Sequence, residues 1–382
     1  MYPALAVLQS LESEYENGKK DIETAALPSR SFLPGVDVLW VGVEGGMEKD
    51  LIQRSGIPFE TIPAAGVHGV GWHRLPGNMV LLAKGYGRSR EILRRFRPEV
   101  LFFTGGFIAV PMAVAGRRVP SLLHVPDIEP GLALKTLAHF SNQIAVTVEV
   151  SKEFLPHRAR VTVTGYPTRP DLKKWSLDDA REALNLTSEL PTLLVFGGSK
   201  GARSINRALT AALPDLLPEM QVIHLTGHLD WEENVESQNQ LALRLKDTSW
   251  QDRYHAYPYL HEQMGAALSA ADLVLSRAGA SILGEFPLFG LPAILVPYPY
   301  AWQYQKTNAQ FLVDRGAAEI LRDENLSPHL AQQVLELMRD KERRNRMHLA
   351  MQTLAQPEAA KSISGLLRRL AGETGPGKEI SA

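Results

Sequence analysis

Three stretches of this 382-residue chain combine residue types and spacings suited to chemistry on phosphates and sugars. The first is LLVFGGSKGA, residues 193–202, where an apolar run ends in glycines, a serine and a lysine. Glycines there allow positive φ and close backbone approach. A helix starting near Ala202 would aim its unpaired N–H groups at the turn, and Ser199 adds a hydroxyl. Gly198, Ser199 and Gly201 therefore read as an anion site suited to phosphate. It is neither a Walker loop nor GxGxxG, and a plain connector with no ligand is an even alternative. The second stretch is LVLSRAGASILGE, residues 273–285. It places the N–H groups of Ala280 and Ser281 at a helix start, with Glu285 one turn deeper on the same face. A carboxylate there can accept both hydroxyls of a ribose; the alternative is an exposed helix glutamate. The third is VPYPYAWQYQKTNAQFLVDRGAA, residues 296–318, where Gln305 and Asn308 lie three apart. Amides donate and accept, which suits sugar hydroxyls, although polar helix-surface residues look the same in isolation. Two phosphate-type turns, one backed by a carboxylate, point to a nucleoside diphosphate.

The elements that must position these residues alternate along the chain. Apolar runs at 36–43, 99–105, 121–126, 142–148, 159–165, 191–198, 220–227, 271–279 and 293–299 are predicted strands. Amphipathic stretches at 3–16, 202–217 and 327–355 are predicted helices. Near-continuous apolar strands separated by helices mean parallel sheets buried on both faces. The length is too great for one ordinary core, and the series restarts near 191 after the Pro- and Asp-rich segment 165–179. The expected division is 1–168, 169–345, a C-terminal helical segment 346–371 that packs back on the first domain, and a tail at 372–382. Residues 15–35 read as a long surface insertion or a disordered loop.

Composition narrows the function. The net charge of −1 gives no global attraction to nucleic acid. With no cysteine, disulfides and thiolate catalysis are excluded. The eleven histidines lack metal-ligand spacing, so no metal site and no cofactor is expected, with Mg²⁺ from solution left open. No apolar run reaches the ~18–20 residues of a membrane span, and no signal peptide is present. A cytoplasmic or peripheral membrane protein is expected. Residues 69–97 set Trp72, Leu75, Met79, Leu81 and Leu82 before Lys84, Arg88, Arg90, Arg94, Arg95 and Arg97. An apolar patch beside a basic cluster suits an anionic membrane surface; an amphipathic helix with a solvated basic face is the equal alternative.

GGSxGA, then SRAGAxxxxE, then a Pro-aromatic loop with QxxNA, resembles the C-terminal half of the MurG family, transferases of the two-domain GT-B fold. YPALAVLQSL (2–11), residues 101–138 and VTGYPTR (163–169) resemble its N-terminal half. The resemblance implies two Rossmann-like α/β domains facing a cleft, inverting transfer of N-acetylglucosamine from UDP-GlcNAc onto lipid I to make lipid II, a lipid-linked acceptor, and a place on the inner face of the cell membrane. It also implies a diphosphate site at Ser199 and its turn, with Arg169 and the N–H groups of Ala280 and Ser281. Ribose falls to Glu285, GlcNAc to Gln305 and Asn308, and the edge of the uracil to Leu260 and His261.

Departures from the family are as informative. Its opening strand and GGTGGH turn, whose histidine is a proposed base, precede the point where this sequence starts. Two accounts follow: a start codon assigned late, or a real truncation that leaves this chain nearly inactive. HEQN becomes HVPD, so His124 and Asp127 are the remaining base candidates, with a structural histidine the stronger reading of His124. Pro287 is expected to end or kink the helix carrying Glu285. The competing functions are a diacylglycerol glycosyltransferase, an isomerase of the UDP-GlcNAc 2-epimerase type, and a non-catalytic UDP-sugar-binding protein.

Overall fold

The structure, a computed structural model, describes residues 2–19, 36–43, 48–64, 75–198, 201–244, 249–299 and 304–372. The chain divides into two compact units, Met1–Arg169 with Glu358–Ala382, and Pro170–Pro357.

The first unit opens with α1 (Tyr2–Lys19), followed by β1 (Trp40–Gly42), α2 (Glu48–Arg54), β2 (Phe59–Thr61) and α3 (Leu75–Phe96). Then come β3 (Leu101–Phe103), α4 (Ala109–Ala115), β4 (Ser121–Val125), α5 (Leu132–Ala138), β5 (Gln143–Val146) and β6 (Val161–Val163). All the pairings are parallel, as helical crossovers between successive strands require. Among the described residues these strands form two separate sheets, β1-β2 and β3-β4-β5-β6. Leu39 and Val41 nevertheless pack into the same core as Phe103, Leu123 and Val125, on the face covered by α3, α4 and α5.

The second unit contains α6 (Leu177–Ala183), β7 (Thr192–Phe196), α7 (Arg203–Leu216), β8 (Gln221–Leu225), α8 (Trp231–Arg244) and β9 (Tyr254–Tyr257). It continues with α9 (Met264–Ala270), β10 (Leu273–Ser276), α10 (Ile282–Phe289), β11 (Ala293–Leu295), α11 (Tyr304–Val313), β12 (Ala318–Ile320), α12 (Leu326–Arg339) and α13 (Lys341–Gln352). One six-stranded parallel sheet runs in the order β12-β11-β10-β7-β8-β9. Leu193, Leu194 and Val195 of β7 and Leu273, Val274 and Leu275 of β10 have no solvent exposure, because helices cover both faces. Each such side chain contributes roughly 1.5–3 kcal/mol relative to exposure.

The last helix, α14 (Ala359–Leu370), belongs to the first unit. Its Ile363, Leu366 and Leu367 meet Val7 and Leu11 of α1 over Leu122 and Ala145 of the sheet. These positions recur at helical spacing on both helices, so each has one apolar face to bury.

All nine predicted strands are present, each shorter than its apolar run. The structure adds β2, β9 and β12, three or four residues each and without a fully buried pattern to announce them. Pro287 does not end its helix. It lies in the last turn of α10, which continues to Phe289 and stops at Gly290 in the left-handed conformation, φ 64°.

Candidate functional site: a phosphate-type cavity at the strand-order reversal

The sheet of the second unit reverses direction between β7 and β10: β8 and β9 lie to one side, β11 and β12 to the other. Open α/β sheets bind ligands beyond the carboxyl ends of their strands at such a reversal. Registration of Phe196 with Ser276 brings the two glycine turns out of the sheet side by side. A cavity of about 240 Å³ lies there, lined by Phe196, Gly197 and Gly198 from the first turn, Arg277, Gly279, Ser281 and Ile282 from the second, and Gln305 of α11.

The two glycines of the first turn differ in purpose. Gly198 has φ 93°, and a Cβ built there would meet nothing within 4 Å, so its backbone faces open space. Gly201 has φ 78°, and a Cβ would meet the Thr226 carbonyl oxygen at 2.3 Å, so it is needed for packing against the neighbouring loop. The Gly201 N–H donates to the Gly198 carbonyl at 2.9 Å and closes the turn. Ser199 and Lys200 lie outside the described residues. Helix α7 begins after Ala202 with no side-chain cap. Helix α10 also lacks one, and among the described residues no acceptor takes the N–H of Ala280 or Ser281. Both helices thus offer N-terminal donors and positive dipole ends at one place. At about 240 Å³ the cavity is below the roughly 300–1,000 Å³ of a drug-sized ligand site.

Glu285 is half-buried in the first turn of α10. Gln305 lines the cavity, and its Oε1 accepts the Tyr298 N–H at 2.9 Å. Asn308, expected beside it, is fully buried, and its Nδ2 donates to the Ala278 carbonyl at 3.1 Å. In this arrangement Asn308 braces the second glycine turn from below. On the other flank, Leu260 is buried, while His261 is exposed. The His261 ring lies 4.5 Å from that of Tyr259, which stacks on His228 at 6.0 Å and 16°. His228 and Tyr259 were not singled out in the sequence, since their loops meet only through the β8–β9 pairing.

The remaining expected residues lie in the first unit. Arg169 ends the first of its two segments, with its guanidinium 4.9 Å from the Tyr2 ring. Asp127 is half-buried in the loop after β4. His124 is a correction to the base expectation. It has no solvent exposure, and burial lowers its pKa to about 3. Neither ring nitrogen has a hydrogen-bond partner; the nearby backbone of Ala145 opposes the shift only in part. A shielded imidazole that weak cannot take a proton from a substrate near neutral pH.

Comparison with known proteins agrees with this architecture. Residues 33–146 match the glycosyltransferase family 28 N-terminal domain, and residues 192–363 its C-terminal domain. The solved structure of Acinetobacter baumannii MurG superposes with a TM-score of 0.70 at 24% identity, covering 96% of this chain and 95% of that one. A Staphylococcus aureus MnaA–UDP co-structure superposes at 0.63 with 12% identity, over 99% of this chain and 98% of its own. The fold is that of a two-domain GT-B glycosyltransferase. A UDP-N-acetylglucosamine--N-acetylmuramyl-(pentapeptide) pyrophosphoryl-undecaprenol N-acetylglucosamine transferase from Roseiflexus sp. (strain RS-1) is 38% identical over 97% of this chain and 92% of its own length. The same-named protein from Desulforamulus reducens is 34% identical over 95% and 93%. The chain belongs to this family of transferases, the MurG family.

Proposed function

We propose that this protein transfers N-acetylglucosamine from UDP-GlcNAc onto lipid I, the undecaprenyl-diphosphate-linked N-acetylmuramyl-pentapeptide, to make lipid II. The observation that carries the reading is the cavity at the strand-order reversal, with phosphate-type turns on two sides and Gln305 at its edge. The diphosphate occupies this cavity under the N-termini of α7 and α10. Negative charge grows there as UDP departs, and fixed N–H dipoles stabilise it without reorganising; one such donor is typically worth about 2.7–4 kcal/mol of barrier. Glu285 receives the ribose hydroxyls, Gln305 the sugar, and Leu260 with His261 the edge of the base. The acceptor hydroxyl must lose a proton, and with His124 closed off, Asp127 is the carboxylate the reading keeps for that task in the first unit. Arg169 adds positive charge for the donor phosphates.

A lipid-linked acceptor requires a membrane-facing surface. No helix among the described residues is long and apolar enough to cross a membrane. Helix α3 offers the surface instead, and the protein sits peripherally on the cytoplasmic face. Met79 and Val80 are 59% and 55% exposed near its start, and Lys84, Arg90 and Arg94 are exposed along its further length. Arg88 and Arg95 both pair with Glu60, so part of the basic cluster is already compensated. Trp72 lies outside the described residues.

The test is product identity. UDP-GlcNAc labelled in the sugar is incubated with lipid I, with diacylglycerol, and with no acceptor. The reading expects label on lipid I alone. Label on diacylglycerol would identify the lipid glycosyltransferase, and UDP-N-acetylmannosamine formed without acceptor would identify the isomerase; either result overturns it.

A further inference from the structure

Arg277 follows β10 directly, lines the cavity and is only 8% exposed. A buried guanidinium must be paired and hydrogen-bonded to be tolerated. Its partners come from three different elements. Nη1 donates to Asp323 Oδ1 at 2.5 Å and to the Val296 carbonyl at 3.2 Å, and Nη2 donates to Ser204 Oγ at 2.7 Å. Ser204 Oγ in turn donates to Asp323 Oδ1 at 2.8 Å, closing a three-residue ring of bonds. Ser204 is the second residue of α7, so one arm of Arg277 grips the helix that follows the first glycine turn. Val296 and Tyr298 belong to the loop after β11, and the guanidinium lies 5.2 Å from the Tyr298 ring. The other arm therefore holds the loop whose Tyr298 N–H orients Gln305.

That last bond fixes which end of the Gln305 amide the cavity sees. A backbone N–H can only donate, so the atom facing Tyr298 is the carbonyl oxygen, and the –NH₂ group is left for the ligand. The group it meets must be an acceptor, such as a sugar oxygen or an acetamido carbonyl. If the loop shifts, the amide loses this fixed orientation.

We propose that Arg277 is a positioning residue that couples the diphosphate turn to the sugar-reading amide of Gln305, with Ser204 and Asp323 anchoring one side and Tyr298 transmitting to the other. The inference rests on the UDP-GlcNAc reading above. Its signature is selective: disturbing the Tyr298 side weakens the hold on the sugar without weakening the hold on UDP. Disturbing the Ser204 side weakens both.

The experiment compares calorimetric affinities for UDP and for UDP-GlcNAc in the wild type, Tyr298→Ala, Tyr298→Phe, Ser204→Ala and Arg277→Lys, with the melting temperature of each. Tyr298→Ala should lose at least fivefold in UDP-GlcNAc affinity with UDP affinity unchanged, and Tyr298→Phe, which keeps the ring, should restore it. Ser204→Ala should weaken both ligands to a similar degree. Arg277→Lys keeps the charge but not the planar fork, so it should weaken both, and UDP-GlcNAc more. Equal effects of Tyr298→Ala on the two ligands, or none on either, would overturn the coupling. Failure of the wild type to bind either ligand would overturn the reading beneath it.

Discussion

At the scale of residues, the structure separates side chains that face the cavity from those that hold it. The place of Glu285 in the first turn of α10 was legible from its spacing to Ser281, and its ribose role is a proposal. Gln305 was legible as an amide, but the direction of its amide came only from the Tyr298 N–H. Asn308 and Gln305 looked equivalent in sequence, yet helix α11 turns one inward and the other to the cavity. The part played by Arg277 was not legible, since its carboxylate partner Asp323 lies 46 residues further on and no local spacing pairs them. Two variants test this scale. On the proposed role, Glu285→Ala removes two ribose-hydroxyl hydrogen bonds of about 1–1.5 kcal/mol each, so UDP affinity by calorimetry should fall about 30-fold or more. An unchanged affinity removes Glu285 from the site. His124→Leu replaces two unpartnered buried nitrogens with an apolar side chain of similar volume. It should leave GlcNAc transfer intact and the melting temperature unchanged or higher. A loss of transfer with the fold intact would return His124 to the mechanism.

At the scale of elements, helix α3 shows what a sequence pattern leaves open. The run from apolar to basic residues was visible, and the choice between a solvated face and a docking surface was not. The structure leaves Met79, Val80 and Leu81 exposed in its early turns and Lys84, Arg90 and Arg94 exposed further on, and α3 ends where Arg97 takes a left-handed φ of 51° before Pro98. Because Arg88 and Arg95 are paired with Glu60, the residues to change are Arg90 and Arg94, which with Gly87, Glu91 and Arg95 line a groove of about 510 Å³. Each basic side chain near an anionic surface contributes roughly 1 kcal/mol. Replacing both with glutamate should therefore reduce binding to phosphatidylglycerol vesicles at least tenfold, with UDP affinity unchanged. Wild-type binding should also weaken as salt rises, since screening acts over roughly 8–10 Å at physiological ionic strength. Equal sedimentation of variant and wild type with vesicles would show that α3 is an ordinary solvated helix.

At the scale of the whole molecule, the sequence revealed two parallel α/β units because buried strands of valine and leucine stand out against amphipathic helices. It did not reveal β2, β9 and β12, whose three or four half-buried residues carry no clear period. The separation of β1-β2 from β3-β4-β5-β6 follows from hydrogen bonding rather than from any apolar pattern, since both sheets share one core. Among the described residues, each unit also buries one neutral histidine, His124 in the first and His224 in the second, and burial lowers both pKa values to about 3. Unfolding returns each to about 6.5, so the unfolded chain binds more protons below that value. Stability is full above pH 6.5 and falls as the pH drops towards 3, by about 1.4 kcal/mol per pH unit for each histidine. Melting temperatures should hold near pH 7 and fall from about pH 6.5 towards 5, and His124→Leu should flatten the decline for the first unit; a melting temperature independent of pH would contradict this. The central claim is that the cavity between the glycine turns of the second unit holds the diphosphate of UDP-GlcNAc. Titration calorimetry of UDP-GlcNAc into wild type and Gly198→Val, with the melting temperature of each as a check on folding, tests it most directly. Gly198 faces open space but has φ 93°, so its replacement should fill the ligand's place and strain the turn there, not the protein's core. The account predicts a binding wild type and a folded variant with no measurable binding; a folded variant that binds UDP-GlcNAc as tightly as wild type would contradict it.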